Sequence, residues 1–314
     1  MSEVLTLGFI TSVLAAAVAS GAALLYAALG ETLAERSGVL NLGVEGMMLM
    51  GALAGFAACT WSGSAWIGVL GAIVAGGAMA LIHAVLTVSF QANQVVSGLA
   101  LTLFGQGLTA YLGSSSVGKA PPESFTKLAI PVLSDIPRLG TILFRQDALV
   151  YLGYVTVPLI WWFVYRTRPG LKLRAVGENP ATADAMGIDV ARMRYAYVVI
   201  GGAFAGLGGA VISLATNPGW SENMTAGRGW IAVALVIFGM WNPARVAAGA
   251  LLFGAVEAAQ FRLQGVNVPI SSFFLNMLPY VFTIVVLVFA TQQSRAKRLG
   301  SPAALGKPYV REER

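Results

Sequence analysis

The residues able to do chemistry in this chain of 314 are few and scattered. Glu45 and Glu257 are carboxylates set within apolar runs, and Asn41, Asn93 and Gln94 are amides in or beside such runs. A carboxylate in hydrocarbon costs roughly 2.5–3.5 kcal/mol on insertion scales, so each must face a cavity, a partner group or the headgroup zone. Two chemistries suit Glu45: contact with a polar solute in transit, or hydrogen bonding at a helix N-terminus that fixes packing. The amides likewise either line a path or cap helices. All five are candidates for a substrate path. His83 is the single histidine, and without a His or Cys cluster around it the expectation is a packed or pore-facing imidazole and no metal site. Cys59 is the single cysteine, which excludes an intrachain disulfide and suits a small core residue. No nucleophile and base stand at usable spacing, so no catalytic residue is assigned and an enzyme is not expected. A GxxxxGK[ST] phosphate loop is absent, so ATP has no cradle here. Nor does a string of intramembrane charges form an ion or proton relay.

These side chains need elements to hold them, and composition says which kind. At 57% hydrophobic and 11% charged residues, with a mean hydropathy of +0.74, the chain has too little polar surface to cover a soluble domain. It reads as all-α, a polytopic transmembrane helical bundle of about nine segments, eight to ten at the limits, forming one domain over residues 1–314. A net charge of +6 does not indicate nucleic acid, because the basic residues flank apolar blocks, where membrane orientation accounts for them. The first apolar run lacks a basic n-region and is too long for a cleavable signal peptide. Spans are expected near residues 4–29, 37–57, 65–90, 95–112, 148–165, 195–215, 230–240, 244–260 and 273–290, with a polar excursion over 113–147. Two are interrupted. Gly38, Gly43 and Gly46 break the second, and residues 230–240 are too few for a straight crossing before Trp241, Asn242 and Pro243. Paired discontinuous helices in the two halves of a transporter point to a permeation site near the membrane midplane. Gly202 and Gly206 form a GxxxG face suited to close helix packing.

Between the two interruptions lies a polar platform, residues 166–194, which holds six of the twenty Lys and Arg and therefore faces the cytoplasm by the positive-inside rule. Asn179 offers an N-cap oxygen, Pro180 a pre-set first helical position and Gly187 a left-handed stop. Together they bracket one short helix over 180–186, exposing Ala181, Ala185 and Met186. Such a face either inserts into a groove on another protein or is a plain surface connector. The tail, 291–314, carries six more basic residues and is expected inside, with the N-terminus outside.

Five blocks then carry a resemblance: GVLNLGVEGMMLMGA (38–52), ANQVVSGLAL (92–101), RAVGENPATADAMGI (174–188), GRGWIAVALVIFGMWNP (227–243) and PAALGKPYVRE (302–312). As a set, in this order over essentially the whole chain, they resemble the permease subunits of bacterial ABC importers for branched-chain amino acids, simple sugars and nucleosides. The nucleoside and simple-sugar branch is the nearest. The resemblance implies an inner-membrane permease paired with a second, often non-identical permease, two cytoplasmic ATPase subunits that hold ATP and magnesium, and an extracytoplasmic solute-binding protein. It implies that this chain binds no cofactor itself, and that Glu178, Asn179, Pro180, Ala181, Asp184, Ala185, Met186 and Gly187 form the region coupled to the ATPase. Two alternatives stay open: the same machinery carrying a branched-chain amino acid, and an ion-driven secondary carrier.

Overall fold

Apolar blocks separated by glycine- and proline-bearing breaks fold into helices. A computed structural model describes residues 7–265, 271–297 and 300–311. In chain order the helices are α1 (Leu7–Arg36), α2 (Val44–Ser62), α3 (Ala65–Ala84), α4 (Gln94–Gly113), α5 (Leu139–Leu143), α6 (Ala148–Arg166), α7 (Arg168–Glu178), α8 (Pro180–Ala185), α9 (Val190–Val211), α10 (Arg228–Phe238), α11 (Pro243–Gly265) and α12 (Ser272–Lys297). Among the described residues seven helical segments are long and apolar enough to cross a membrane, and α10 and part of α12 are shorter apolar helices. That total agrees with the nine segments expected.

Three departures from the sequence reading matter. First, α1 does not stop near residue 29; it runs on through Glu31, Glu35 and Arg36, which are buried. Second, the platform holds two helices rather than one, since α7 precedes the short α8. Its start is set by Thr167, whose hydroxyl accepts the Gly170 N–H at 3.1 Å, with Pro169 in the first turn. Third, α3 and α9 each end in a wider π-type turn, Val85–Ser89 and Ile212–Thr216. The polar excursion is a small cap in which β1 (Leu128–Ala129) pairs antiparallel with β2 (Arg145–Gln146) beside α5. Asp147 leaves this cap to start α6, accepting the N–H groups of Leu149 and Val150 at 2.9 and 3.0 Å. Burial raises its carboxyl above the ordinary value against the pull of those bonds.

The core is organised by α9, whose glycines admit three neighbours at backbone distance. A Cβ on Gly206 would lie 2.2 Å from the Ala72 carbonyl oxygen of α3, one on Gly209 2.0 Å from the Met48 oxygen of α2, and one on Gly208 2.7 Å from the Ala23 oxygen of α1. No rotamer relieves a backbone clash. Small residues thus supply the close helix packing that lipid-facing apolar surface cannot drive. His83 is packed rather than pore-facing: it is buried, with Nδ1 3.0 Å from the Ser97 hydroxyl and Nε2 3.0 Å from the Leu40 carbonyl. Cys59 is buried, as expected of a small core residue.

Candidate translocation and coupling site

Helix α10 spans eleven residues, or about 16 Å at 1.5 Å per residue, roughly half the hydrocarbon thickness. At least one of its ends therefore falls where water is scarce, and terminal N–H or C=O groups there need partners from the chain. Both flanks also carry residues other than glycine in the left-handed region: Asn223 (φ 53°) and Ala226 (φ 47°) before it, Met240 (φ 51°) and Trp241 (φ 54°) after it. Such residues cost on the order of 1 kcal/mol or more each and persist only where their surroundings impose them.

Glu45 imposes the first end. One carboxylate oxygen accepts the Thr225 hydroxyl at 2.5 Å and the Gly227 N–H at 2.8 Å, and the other accepts the Gly229 N–H at 2.6 Å. The side chain is buried, and a Cβ on Gly229 would stand 2.4 Å from the Glu45 Cα, so glycine is what admits α2 this closely. Of the two chemistries open to Glu45, the geometry is that of a helix N-terminus clamp. At the other end the Trp241 indole donates to Glu35, while Arg36 donates to the Trp241 carbonyl from Nε (3.2 Å) and Nη2 (3.1 Å) and to the Tyr165 hydroxyl at 3.2 Å. The two interrupted segments read from the sequence are thus brought into one assembly.

Three other path candidates also bond to the chain, Gln94 through its oxygen alone among the described residues. Asn41 is buried, its oxygen accepting the Gly43 N–H at 3.0 Å and its own N–H reaching Glu31 at 3.1 Å. The Gln94 side-chain oxygen accepts the Leu40 N–H at 2.7 Å. Asn93 is exposed and caps α4 through Val95 and Val96 at 3.0 and 3.1 Å. Glu257, in contrast, lines an open space. It pairs with Arg228, each side chain 13% exposed, on the wall of a cavity of about 240 Å³ between α10, α11 and α12 that Gln260, Phe261 and Tyr280 also line. Arg228 further donates to the carbonyls of Met224 (3.1 Å) and Thr225 (3.3 Å), and the Tyr280 hydroxyl donates to the Ala226 carbonyl at 2.6 Å. The sequence reading did not place Arg228, Thr225 or Tyr280 at the site, nor the buried Glu35 and Arg36. A signal existed only for the last two: charges at the junction of two apolar blocks, with Glu31 and Glu35 one helical turn apart.

On the polar side α8 matches its sequence signals. The Asn179 oxygen accepts the Thr182 N–H at 3.0 Å, Pro180 opens the helix and Gly187 follows with φ 80°. Ala181, Ala185, Gly187 and Met186 are exposed, Met186 at 78%, and Glu178 and Asn179 with them. Asp184 differs from its neighbours. Its carboxylate is turned to the tail, where the Tyr309 hydroxyl and Arg311 Nε each stand 3.2 Å away. Residues 298–299 and 312–314 of the tail, 266–270 of the polar turn before α12 and 1–6 ahead of α1 lie outside the described residues.

A multi-pass helical bundle with a broken, charge-clamped segment and a short exposed polar helix has the architecture of a membrane transport protein. The chain belongs to the family described as "Branched-chain amino acid transport system / permease component", which it matches over residues 13–291. Among its relatives, the putative glucose ABC transporter permease protein TsgC13 of Haloferax volcanii is 43% identical over 98% of this chain and 99% of its own length. The guanosine ABC transporter permease protein NupQ of Bacillus subtilis is 36% identical over 93% of this chain and 94% of its own length. A second guanosine permease of that organism, NupP, is 24% identical over 82% of this chain and 74% of its own. The fold is that of a putative metal-chelate type ABC transporter in an inward-facing conformation, at a TM-score of 0.51 and 15% identity over 92% of this chain and 90% of that one. This chain is therefore a permease subunit of an ABC transporter, a transport component rather than an enzyme, with its ATPase on a separate subunit and a paired permease beside it.

Proposed function

We propose that this permease passes an uncharged, ring-shaped polar solute, a nucleoside or a related simple sugar, inward at the expense of ATP hydrolysed by its partner. One observation carries the reading: the cavity between α10, α11 and α12 is lined mainly by apolar groups, and the charges on its wall are balanced. Arg228 and Glu257 neutralise each other, so the wall offers donors and acceptors to hydroxyl groups without an unpaired charge, and Phe261 and Tyr280 add ring surface. A free amino acid carries two opposite charges, and among the described residues this wall offers it no unpaired charged side chain. The names of the relatives, glucose and guanosine, support the same class. At about 240 Å³ the cavity is below the ~300–1,000 Å³ of ordinary ligand pockets, so it takes part of the solute while the paired permease covers the rest.

In this reading residues 166–194 and the tail are cytoplasmic, the N-terminus is extracytoplasmic in an inner membrane, and the exposed face of α8 is the handle gripped by the ATPase. The chain itself holds no cofactor; ATP and magnesium sit on the ATPase, and an extracytoplasmic solute-binding protein delivers cargo. The presence of two guanosine permease proteins, NupP and NupQ, in one organism supports a non-identical second permease. The test is reconstitution of all subunits in liposomes with labelled guanosine, glucose and leucine. ATP-dependent uptake of guanosine or glucose but not leucine is expected. Preferred uptake of leucine would favour the branched-chain amino acid reading that the family description carries, and uptake by this chain alone along an ion gradient would defeat both.

A further inference from the structure

The tail does more than end the chain. Residues 300–311 touch the residue beyond α10, the corner between α1 and α2, and helices α7, α8 and α9. Gly300 lies against Met240, beyond the end of α10. The Ala304 N–H donates to the Gly177 carbonyl at the end of α7 (2.9 Å), and the Gly306 N–H to the Gly38 carbonyl between α1 and α2 (3.2 Å). Arg194 of α9, 1% exposed, donates to the Lys307 carbonyl at 3.2 Å. Tyr309 then packs on the small apolar cluster of Val176, Ala183 and Val190 beneath α8, and its hydroxyl and Arg311 both hold Asp184.

Helix α8 is only six residues long, too short to be stable by itself, and buries one side chain, Ala183. Its orientation must come from outside. Helix α7, joined at Asn179 and packing Val176 on Ala183, and the turn into α9 supply two attachments, and the tail supplies a third through Asp184. Because the same tail segment also touches Gly38 and Met240, a displacement of α8 is passed to the corners that clamp α10 without crossing the membrane interior.

We infer that residues 300–311 are a mechanical link between α8 and the α10 clamp, with Asp184, Tyr309 and Arg311 as positioning residues that set how efficiently ATP hydrolysis becomes transport. This rests on the reading of α8 as the ATPase handle. Asp184 thereby acts through the tail rather than as a direct ATPase contact.

The experiment uses the assembled complex in liposomes and reads three quantities: ATPase retained on purification, basal ATP hydrolysis, and solute imported per ATP. In the double variant Tyr309→Phe/Arg311→Ala the first two are expected to stay native. Solute per ATP should fall about five- to tenfold, the factor held by one hydrogen bond and one ion pair discounted for the exposed Arg311. Asp184→Arg alone should fall similarly, and Asp184→Arg with Arg311→Asp should recover at least half of the native ratio. A ratio within twofold of native in the double variant overturns the inference, as does failure of the charge swap to restore it. Loss of ATPase from the double variant also overturns it, by making the tail a docking contact. The handle reading fails separately, if the ATPase stays bound when the exposed face of α8 is made acidic.

Discussion

Replacing Glu45 by glutamine is a near-isosteric change with a calculable effect. The carboxylate takes three donors on its two oxygens, from Thr225, Gly227 and Gly229. An amide has one oxygen, so whichever way it is turned its NH₂ faces an N–H or O–H donor. At least one buried donor then loses its acceptor, at about 1–3 kcal/mol, and removing the negative charge from the α10 N-terminus adds about 0.3–1 kcal/mol. The sum is about 1.3–4 kcal/mol for Glu45→Gln. Glu45→Ala strands all three donors and should cost more, though less than three times the single penalty, because bonds on one group are not additive. Thr225→Val removes one donor and leaves both N–H bonds, so about 0.5–1.5 kcal/mol is expected. The assay is thermal unfolding of the purified complex in detergent, run beside ATP-driven uptake, with Glu45→Gln/Thr225→Val closing a double-mutant cycle. The pair should be coupled, the double variant losing less than the sum of the singles. If Glu45→Gln melts with the native protein while its uptake KM rises, Glu45 is a solute contact and the clamp reasoning fails.

Two further outcomes follow from packing and from the handle. Gly206→Ala places a methyl 2.2 Å from the Ala72 oxygen and should separate α9 from α3, lowering the yield of monodisperse protein far below native; a normal yield with an unchanged melting temperature would refute backbone-distance packing. Asp at both Ala185 and Met186 leaves the bundle untouched, since both are exposed, so insertion and melting should be native while co-purification of the ATPase is lost; native co-purification would refute the handle.

Spans and caps were legible in the sequence because they rest on local chemistry. Hydropathy over about twenty residues fixes a crossing, so helices such as α4 and α6 fall within a residue or so of their expected bounds. Asn179, Pro180 and Gly187 act on their own neighbours, and α8 forms where they place it. Burial of Glu31, Glu35 and Arg36 was not legible, because a charge cluster after an apolar run reads equally as a loop. Only their partners Asn41, Trp241 and Tyr165, the latter two more than 120 residues away, keep them inside the helix. For the same reason the amides looked like path residues. Polarity at depth says that a partner is needed and leaves open whether it is a solute or the neighbouring backbone, and for Asn41, Gln94 and Glu45 it is backbone.

The signs of the buried charges supply the last step. A helix broken inside a membrane exposes donors with partial positive charge at its start and acceptors with partial negative charge at its end. Here the anion Glu45 meets the start of α10, and the cation Arg36 meets the Trp241 carbonyl just past its end. Each charge that is costly in hydrocarbon therefore offsets a backbone group that is costly in hydrocarbon, which explains how two left-handed residues on each flank are tolerated. Both clamping residues flank one turn, the α1–α2 corner at residues 37–43. Moving α10 independently of that corner would strand donors at one end or acceptors at the other, so a transport stroke must carry the helix and the corner together. Arg228, which forms the cavity wall with Glu257, lies between the Gly227 and Gly229 contacts of the Glu45 clamp and is repositioned by the same movement.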